Sequence, residues 1–298
     1  MIKRENESVV RTTVVPSLFP KLTKKAKMSI FGILLVLPSF LTLLVLVIVP
    51  VGISFVESFK DSSGQLSLEN YIYLFTEPLM IKNIMHTLTV TIISSIFVLF
   101  ISYALAIYMQ FSKGRIVNLI RKVYYVPMFI PGIIAIYGFI NMYRDNGWIA
   151  RLIGKGVLPP IIYDIKGVIL MNIWFNIPFT TMLLSSALAA IPFAVIESAK
   201  DAGAGKLQLF TKFILPLSMK TMLVALTFLF MGIAGSFTAP FLIDKNAPQM
   251  LGVSMAQHFS AYNELGQASS MAVFLFLICA GMGYFYIRSM MKDDSKSY

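Results

Sequence analysis

Six stretches of this 298-residue chain contain no Asp, Glu, Lys or Arg: 28–56, 83–112, 123–143, 167–196, 221–243 and 265–287. The shortest has 21 residues, and a helix that crosses a bilayer needs about 20. A soluble core produces one or two such stretches by chance; six at regular spacing demand lipid as the solvent. Lipid offers the backbone no hydrogen-bond partner, so only helices or closed barrels cross it, and the alternating strands of a barrel are absent. The expected fold is an all-α membrane protein with six transmembrane helices. Overall charge agrees: charged residues are 13% of the chain, against about 25% in a soluble domain.

The net charge of +11 would suggest nucleic acid as the partner of a soluble protein. Here the distribution explains it. With both termini in the cytoplasm, 18 of the 25 basic residues fall on inner segments, among them Lys113, Arg115, Arg121 and Lys122. The inner segments then carry +12 and the outer ones −1, as the positive-inside rule requires. Nucleic acid is therefore not an expected partner. The first apolar stretch has 29 residues, too long for the apolar core of about 7–15 in a cleaved signal, so it is expected to remain as an anchor. The organisation expected is a basic cytoplasmic tail over 1–27, a transmembrane unit over 28–290 with a cytoplasmic loop at 191–220, and a second tail over 291–298.

Local signals add detail. Pro38 and Pro50 predict a kink and a frayed outer end in helix 1. Residues 67–71 predict a short surface helix, and Pro127 and Pro131 predict a bent helix 3. The 191–220 loop is long and rich in helix formers. Residues 193–202 suit one helix, Gly203 a break, and 206–215 a second helix ended by Pro216. Leu207, Phe210, Phe213 and Ile214 give that second helix an apolar face. Lipid, the protein's own bundle or a groove on a cytoplasmic partner would each bury it.

The loop reads Glu197-Ser198-Ala199-Lys200-Asp201-Ala202-Gly203-Ala204, then Phe210 after five residues, then Leu215-Pro216. This resembles the EAA loop of permease subunits in binding-protein-dependent ABC importers. Glu197, Ala199, Gly203, Ala204, Phe210, Leu215 and Pro216 fall on matching positions. Ser198 stands where the usual form has Ala. The acid is Asp201, with Ala202 directly before the glycine, a placement similar to that in spermidine/putrescine, iron and aminophosphonate importer permeases. Asn70-Tyr71 and Phe237 to Leu242 also look like the spermidine/putrescine group. Carbohydrate importer permeases usually keep Asp directly before Gly.

The resemblance implies a type I importer permease in a bacterial inner membrane, multi-pass, acting as half of a translocation pathway. It implies three kinds of partner: a cytoplasmic ABC ATPase dimer, a second permease subunit and an extracytoplasmic solute-binding protein. ATP and Mg would sit on the ATPase, with no cofactor on this chain, which would not itself be an enzyme. The loop would dock on the ATPase, Gly203 would make its turn, and Glu197 and Asp201 would hold it by hydrogen bonds and local charge. Cargo would be a small polar or charged solute of the polyamine, aminophosphonate or iron class, with a carbohydrate as the alternative. A carrier or channel acting alone is the rival from another class; the lack of internal repeats and of charged residues in the apolar stretches argues against it.

Other signals are weaker. Gly203-Ala204-Gly205-Lys206 lacks the first glycine and the Ser/Thr of a phosphate loop. His86 and His258 have no Cys or carboxylate spacing that makes a metal site, and the single Cys279 pairs with nothing in the chain. Asn172, Asn176 and Thr180 form one polar stripe on helix 4, either pathway lining or interhelical hydrogen-bond glue of about 0.6 to 2 kcal/mol per contact. Ser236 and Thr238 in helix 5 read the same two ways. With no acid inside the six stretches, a cation crossing this subunit would meet no embedded carboxylate from it.

Overall fold

A computed structural model describes residues 24–154, 156–157, 161–244, 246 and 248–294. It consists of two units, one ending at Gly52 and one starting at Ile53. The first is a single apolar helix. It runs as α1 (Lys24–Leu43), a π turn (Leu44–Ile48) and the start of α2 (Val49–Glu57). The expected fraying at Pro50 does not occur, and the helix continues to Glu57. At the π turn the Val49 N–H reaches back five residues to the Leu44 carbonyl. This widening makes room for a proline ring, and the helix runs on through Pro50 without a break. Most of the 1–27 tail, residues 1–23, lies outside the described residues, as do 295–298; Lys24–Lys27 are helical.

The second unit contains twelve further helices among its described residues. These are α3 (Glu69–Thr76), α4 (Pro78–Phe111), α5 (Arg115–Val123), α6 (Gly132–Tyr143), α7 (Trp148–Ile153) and α8 (Ile165–Ala189). Then follow α9 (Phe193–Asp201), α10 (Lys206–Leu209), α11 (Leu215–Ala234), α12 (Thr238–Ile243), α13 (Leu251–Ser260) and α14 (Leu265–Asp294). The short helix expected near 67–71 is α3. Among the described residues, five spans are long and apolar enough to cross a bilayer: Phe31–Glu57, Pro78–Phe111, Ile165–Ala189, Lys206–Ala234 and Leu265–Arg288. The sixth, helix 3, is broken rather than bent. Arg115–Phe129 and Gly132–Ile153 meet at 103°, because Pro127 and Pro131 remove two backbone donors within five residues.

At its centre α4 packs along α8, with α11 against both. Val90 and Val98 of α4, Val168 and Met171 of α8 and Leu229 and Ile233 of α11 form one buried cluster. Tyr103, Leu184, Leu188 and Ala225 continue it towards the 191–220 loop. The outward faces are equally apolar, as at Ile96, Phe100, Phe228 and Phe276, which suits a lipid solvent.

Two further expectations are corrected. Helix 5 is not continuous across 221–243: it stops at Ala234, Ser236 lies in the break and Thr238 is the first residue of α12. The connection at 244–264, which the charge count assigns to the outer segments, is not a plain loop either, since α13 is tucked into the unit. A helix start leaves free N–H groups that must find partners when buried. Here α4 supplies them: Gln249 N–H donates to Asn83 Oδ1 (2.9 Å) and Leu251 N–H to Thr87 Oγ1 (2.8 Å). Gly252 is required where the chain crosses this break, because an added Cβ would stand 2.7 Å from the Ser236 carbonyl oxygen.

Replacing Thr87 with Val keeps the shape and strands a buried Leu251 N–H, at a cost of about 1–3 kcal/mol. The thermal midpoint of the detergent-solubilised protein should therefore fall in Thr87→Val and hold in Thr87→Ser. Equal midpoints would mean that this bond does not anchor α13.

Candidate functional site

The 191–220 loop is a helix, a left-handed turn and a second helix. Ile196 and Ala199 of α9 point inward against Tyr103, Leu184 and Leu188. The end of α9 is closed by its backbone: Ala204 N–H donates to Ala199 O (3.0 Å) and Gly203 N–H to Lys200 O (2.9 Å). This pair of bonds is a Schellman closure, which needs a left-handed residue at its centre and favours an apolar contact across it. Gly203 has φ +82, and Ala199 and Ala204 join the same buried cluster. Three positions of the loop motif thus have a local explanation: one conformational, two steric. Gly205 then starts α10, its N–H donating to Gln208 Oε1 (3.2 Å).

Pro216 does not end the second helix. A π turn at Phe210–Ile214 follows α10, and the Leu215 N–H reaches the Phe210 carbonyl. The helix therefore runs from Lys206 to Ala234, with Pro216 absorbed as Pro50 is. Leu215 and Pro216 sit at this junction, where the loop becomes a transmembrane span.

Of the three covers open to the apolar face of the second helix, the protein's own bundle takes most of it. Ile214 is buried, Leu209 beside it is buried, and Phe210 and Phe213 pack on the same cluster. The rings of Phe210 and Tyr103 lie 6.1 Å apart. Only Leu207 stays open, at 75% exposure, together with Phe193 of α9 at 63%. Glu197 and Asp201 are exposed, with no hydrogen bond or ion pair to other described residues. The backbone closure does the holding that the resemblance assigns to those two carboxylates.

The helix 4 stripe does not act as glue at its first two positions. Asn172 Nδ2 donates to Val168 O (2.9 Å) and Asn176 Nδ2 to Asn172 O (2.8 Å), both within α8, the back-bonding that short polar side chains make on a helix. Thr180 is buried, its hydroxyl without a partner. The Ser236 hydroxyl lies 3.8 Å from Met250 Sδ, and Thr238 is exposed at the start of α12.

Sequence reasoning missed a buried carboxylate. Asp244, counted as external, is 4% exposed, with Oδ2 3.3 Å from His86 Nε2. That approach is close but poorly aligned, since the same nitrogen has no well-directed hydrogen bond. The signal was available: Asn83, His86 and Thr87 share one face of an apolar helix, and all three turn towards 244–254. Further along α13, His258 lies in contact with Ser254 O (2.8 Å) and the Tyr73 hydroxyl (3.3 Å), with Glu264 at 3.8 Å. Burial, then the charges of Glu264 and Glu77, pushes the Tyr73 phenol up, which keeps it a neutral hydroxyl. These residues line a cavity of about 480 Å³ with Asn83, Gln249 and Gln257. Among the described residues no three His, Cys, Asp or Glu side chains converge as metal ligands do.

Comparison with known proteins agrees with this architecture. The spermidine/putrescine transport system permease protein PotB of Escherichia coli is 28% identical over 157 residues, covering 51% of this chain and 57% of PotB. The sulfoquinovosyl glycerol transport system permease protein SmoG of Agrobacterium fabrum is 25% identical over 283 residues, covering 89% of this chain and 92% of SmoG. A permease chain in the crystal structure of a bacterial ABC transporter that imports the acidic polysaccharide alginate superimposes with a TM-score of 0.77, at 19% identity, over 89% of this chain and 98% of that one. Residues 102–289, well over half of the chain and including the entire loop, match the binding-protein-dependent transport system inner membrane components, and the protein belongs to that family of ABC importer permeases.

Proposed function

We propose that the 193–216 loop couples this permease to a cytoplasmic ATPase, and that the exposed Phe193 and Leu207 make the contact. The observation that carries this reading is the division of the loop into two faces. Its inner face is locked into the cluster shared by α4 and α8, so a displacement of the loop must move both helices. Its outer face leaves two large apolar side chains in water beside Glu197 and Asp201, and a lone amphipathic surface of this kind fits a groove on a partner. ATP hydrolysis belongs to that partner, and the chain supplies half of a pathway completed by a second permease subunit. An extracytoplasmic binding protein delivers the solute.

The basic residues support placing both termini and the loops near 113–122 and 191–220 in the cytoplasm. For cargo, two observations compete. The Asp201 placement and the likeness to PotB favour a polyamine-like small solute. The likeness to SmoG, which spans far more of the chain, favours a carbohydrate derivative. The buried Asp244 weakens the earlier ground against a cation, since the transmembrane unit does hold one sequestered carboxylate.

Three outcomes follow. Leu207→Asp and Phe193→Asp should leave expression and thermal midpoint intact while uptake into proteoliposomes, and stimulation of ATPase by loaded binding protein, drop about tenfold or more, the usual cost of an apolar anchor at an interface. Phe210→Asp should instead lower stability, because its ring packs on Tyr103. Gly203→Val should cost about 1 kcal/mol or more in the turn and also impair coupling; full uptake in the Leu207 and Phe193 variants would remove the coupling role.

In a Cys279→Ser background, Ser63→Cys and Asn246→Cys should react with an impermeant maleimide from outside and Ser112→Cys should not; the opposite pattern would invert the topology. Calorimetric titration of the cognate binding protein should separate the cargo classes, with tight polyamine binding supporting the first reading and selective sugar binding the second.

A further inference from the structure

We propose that α5 is an interfacial helix that binds the phosphodiester headgroups of anionic lipids through its Arg115 and Lys122, together with Lys113 just before it. The axis of Arg115–Phe129 stands at 103° to that of Gly132–Ile153. If the latter segment crosses the bilayer, α5 lies nearly flat in the bilayer plane. At about 100° per residue, the nine residues of α5 divide into three sectors. One faces the protein: Val117 is buried, and Arg121 donates to the Met109 carbonyl at the end of α4, which fixes the helix's rotation. The second is apolar and open, with Ile116 at 66% exposure, Leu119 at 61% and Val123 at 50%. The third holds Arg115, Asn118 and Lys122, all exposed.

An open apolar sector beside a basic one is the pattern of a helix lying at the lipid–water boundary. Charge complementarity chooses the occupant. No acidic residue occurs between Glu77 and Asp145, so nothing nearby in sequence neutralises these cations. Lys113, Arg115 and Lys122 make no hydrogen bond or ion pair with other described residues. A protein partner for these three cations would need a matching acidic face, whereas an anionic leaflet provides one beside every exposed apolar side chain of this sector. The proposal depends on the membrane assignment of the chain and not on the coupling role of the 193–216 loop, so the two fail separately.

The test uses the purified importer complex in a Cys279→Ser background. Nitroxides at Ile116→Cys, Leu119→Cys and Val123→Cys in nanodiscs should collide preferentially with oxygen, and one at Asn118→Cys with a water-soluble nickel chelate. Protection of the first three from both reagents would assign the face to a protein and overturn the proposal. A fluorophore at Asn118→Cys should then report saturable binding of short-chain phosphatidylglycerol in detergent, with no response to short-chain phosphatidylcholine or inorganic phosphate. K113Q/R115Q/K122Q should raise the half-saturating concentration about tenfold or more, three basic contacts being removed. An equal response to phosphatidylcholine or to phosphate, or an unchanged titration in the triple variant, would overturn it. These side chains are exposed and have no partner among the described residues, so the variant should keep the parent's thermal midpoint.

Discussion

The 2.8 Å bond from the Leu251 amide to the Thr87 hydroxyl embodies the constraint on which the whole structure rests. In a bilayer no water is available to a backbone group that leaves a helix, and each one stranded costs several kcal/mol. The spans satisfy themselves wherever they are regular. The chain nevertheless breaks at 124–131, at 235–237 and at 244–250, and at the last of these it needs help. That help comes from α4, whose Asn83, His86 and Thr87 form a polar strip along an apolar helix and meet Gln249, Asp244 and Leu251 in turn. Prolines are accommodated by a different route. Pro50 and Pro216 each stand two residues beyond a π turn, so the extra residue in the turn replaces a break.

The same accounting makes the 191–220 loop stiff. Its turn is closed by two backbone bonds about a left-handed Gly203, and its inner face is buried among side chains of α4 and α8. Packed interiors transmit displacement instead of absorbing it. A rigid elbow seated on the two most closely paired helices suits the coupling role proposed for it. The transmembrane contacts begin directly after it, since α10, the π turn and α11 form one continuous rod.

Much of this was legible in the chain itself. Absence of charge over 21 or more residues is a property of local sequence, and lipid imposes it directly, so the spans could be counted without tertiary information. Gly203 was legible for a similar reason: the left-handed turn is a local conformational demand, and the neighbouring alanines are the small residues that the turn encloses. The direction of Phe210 was not. An amphipathic face records that something covers it, and not whether the cover is another protein or the chain's own bundle. Pro216 misled because a proline does not always end a helix: here a π turn precedes it and the helix continues.

The Asp244–His86 approach was hidden for a deeper reason. The two residues are 158 positions apart, and an acid just beyond an apolar stretch looks the same whether it meets water or folds inward. By itself the sequence determined the solvent, the apolar stretches that meet it and the position of the left-handed turn at Gly203, because each follows from transfer free energy or backbone freedom of residues close together along the chain. Only the tertiary structure decided which apolar side chains remain open and which polar ones are sequestered, because both depend on what distant segments bring alongside.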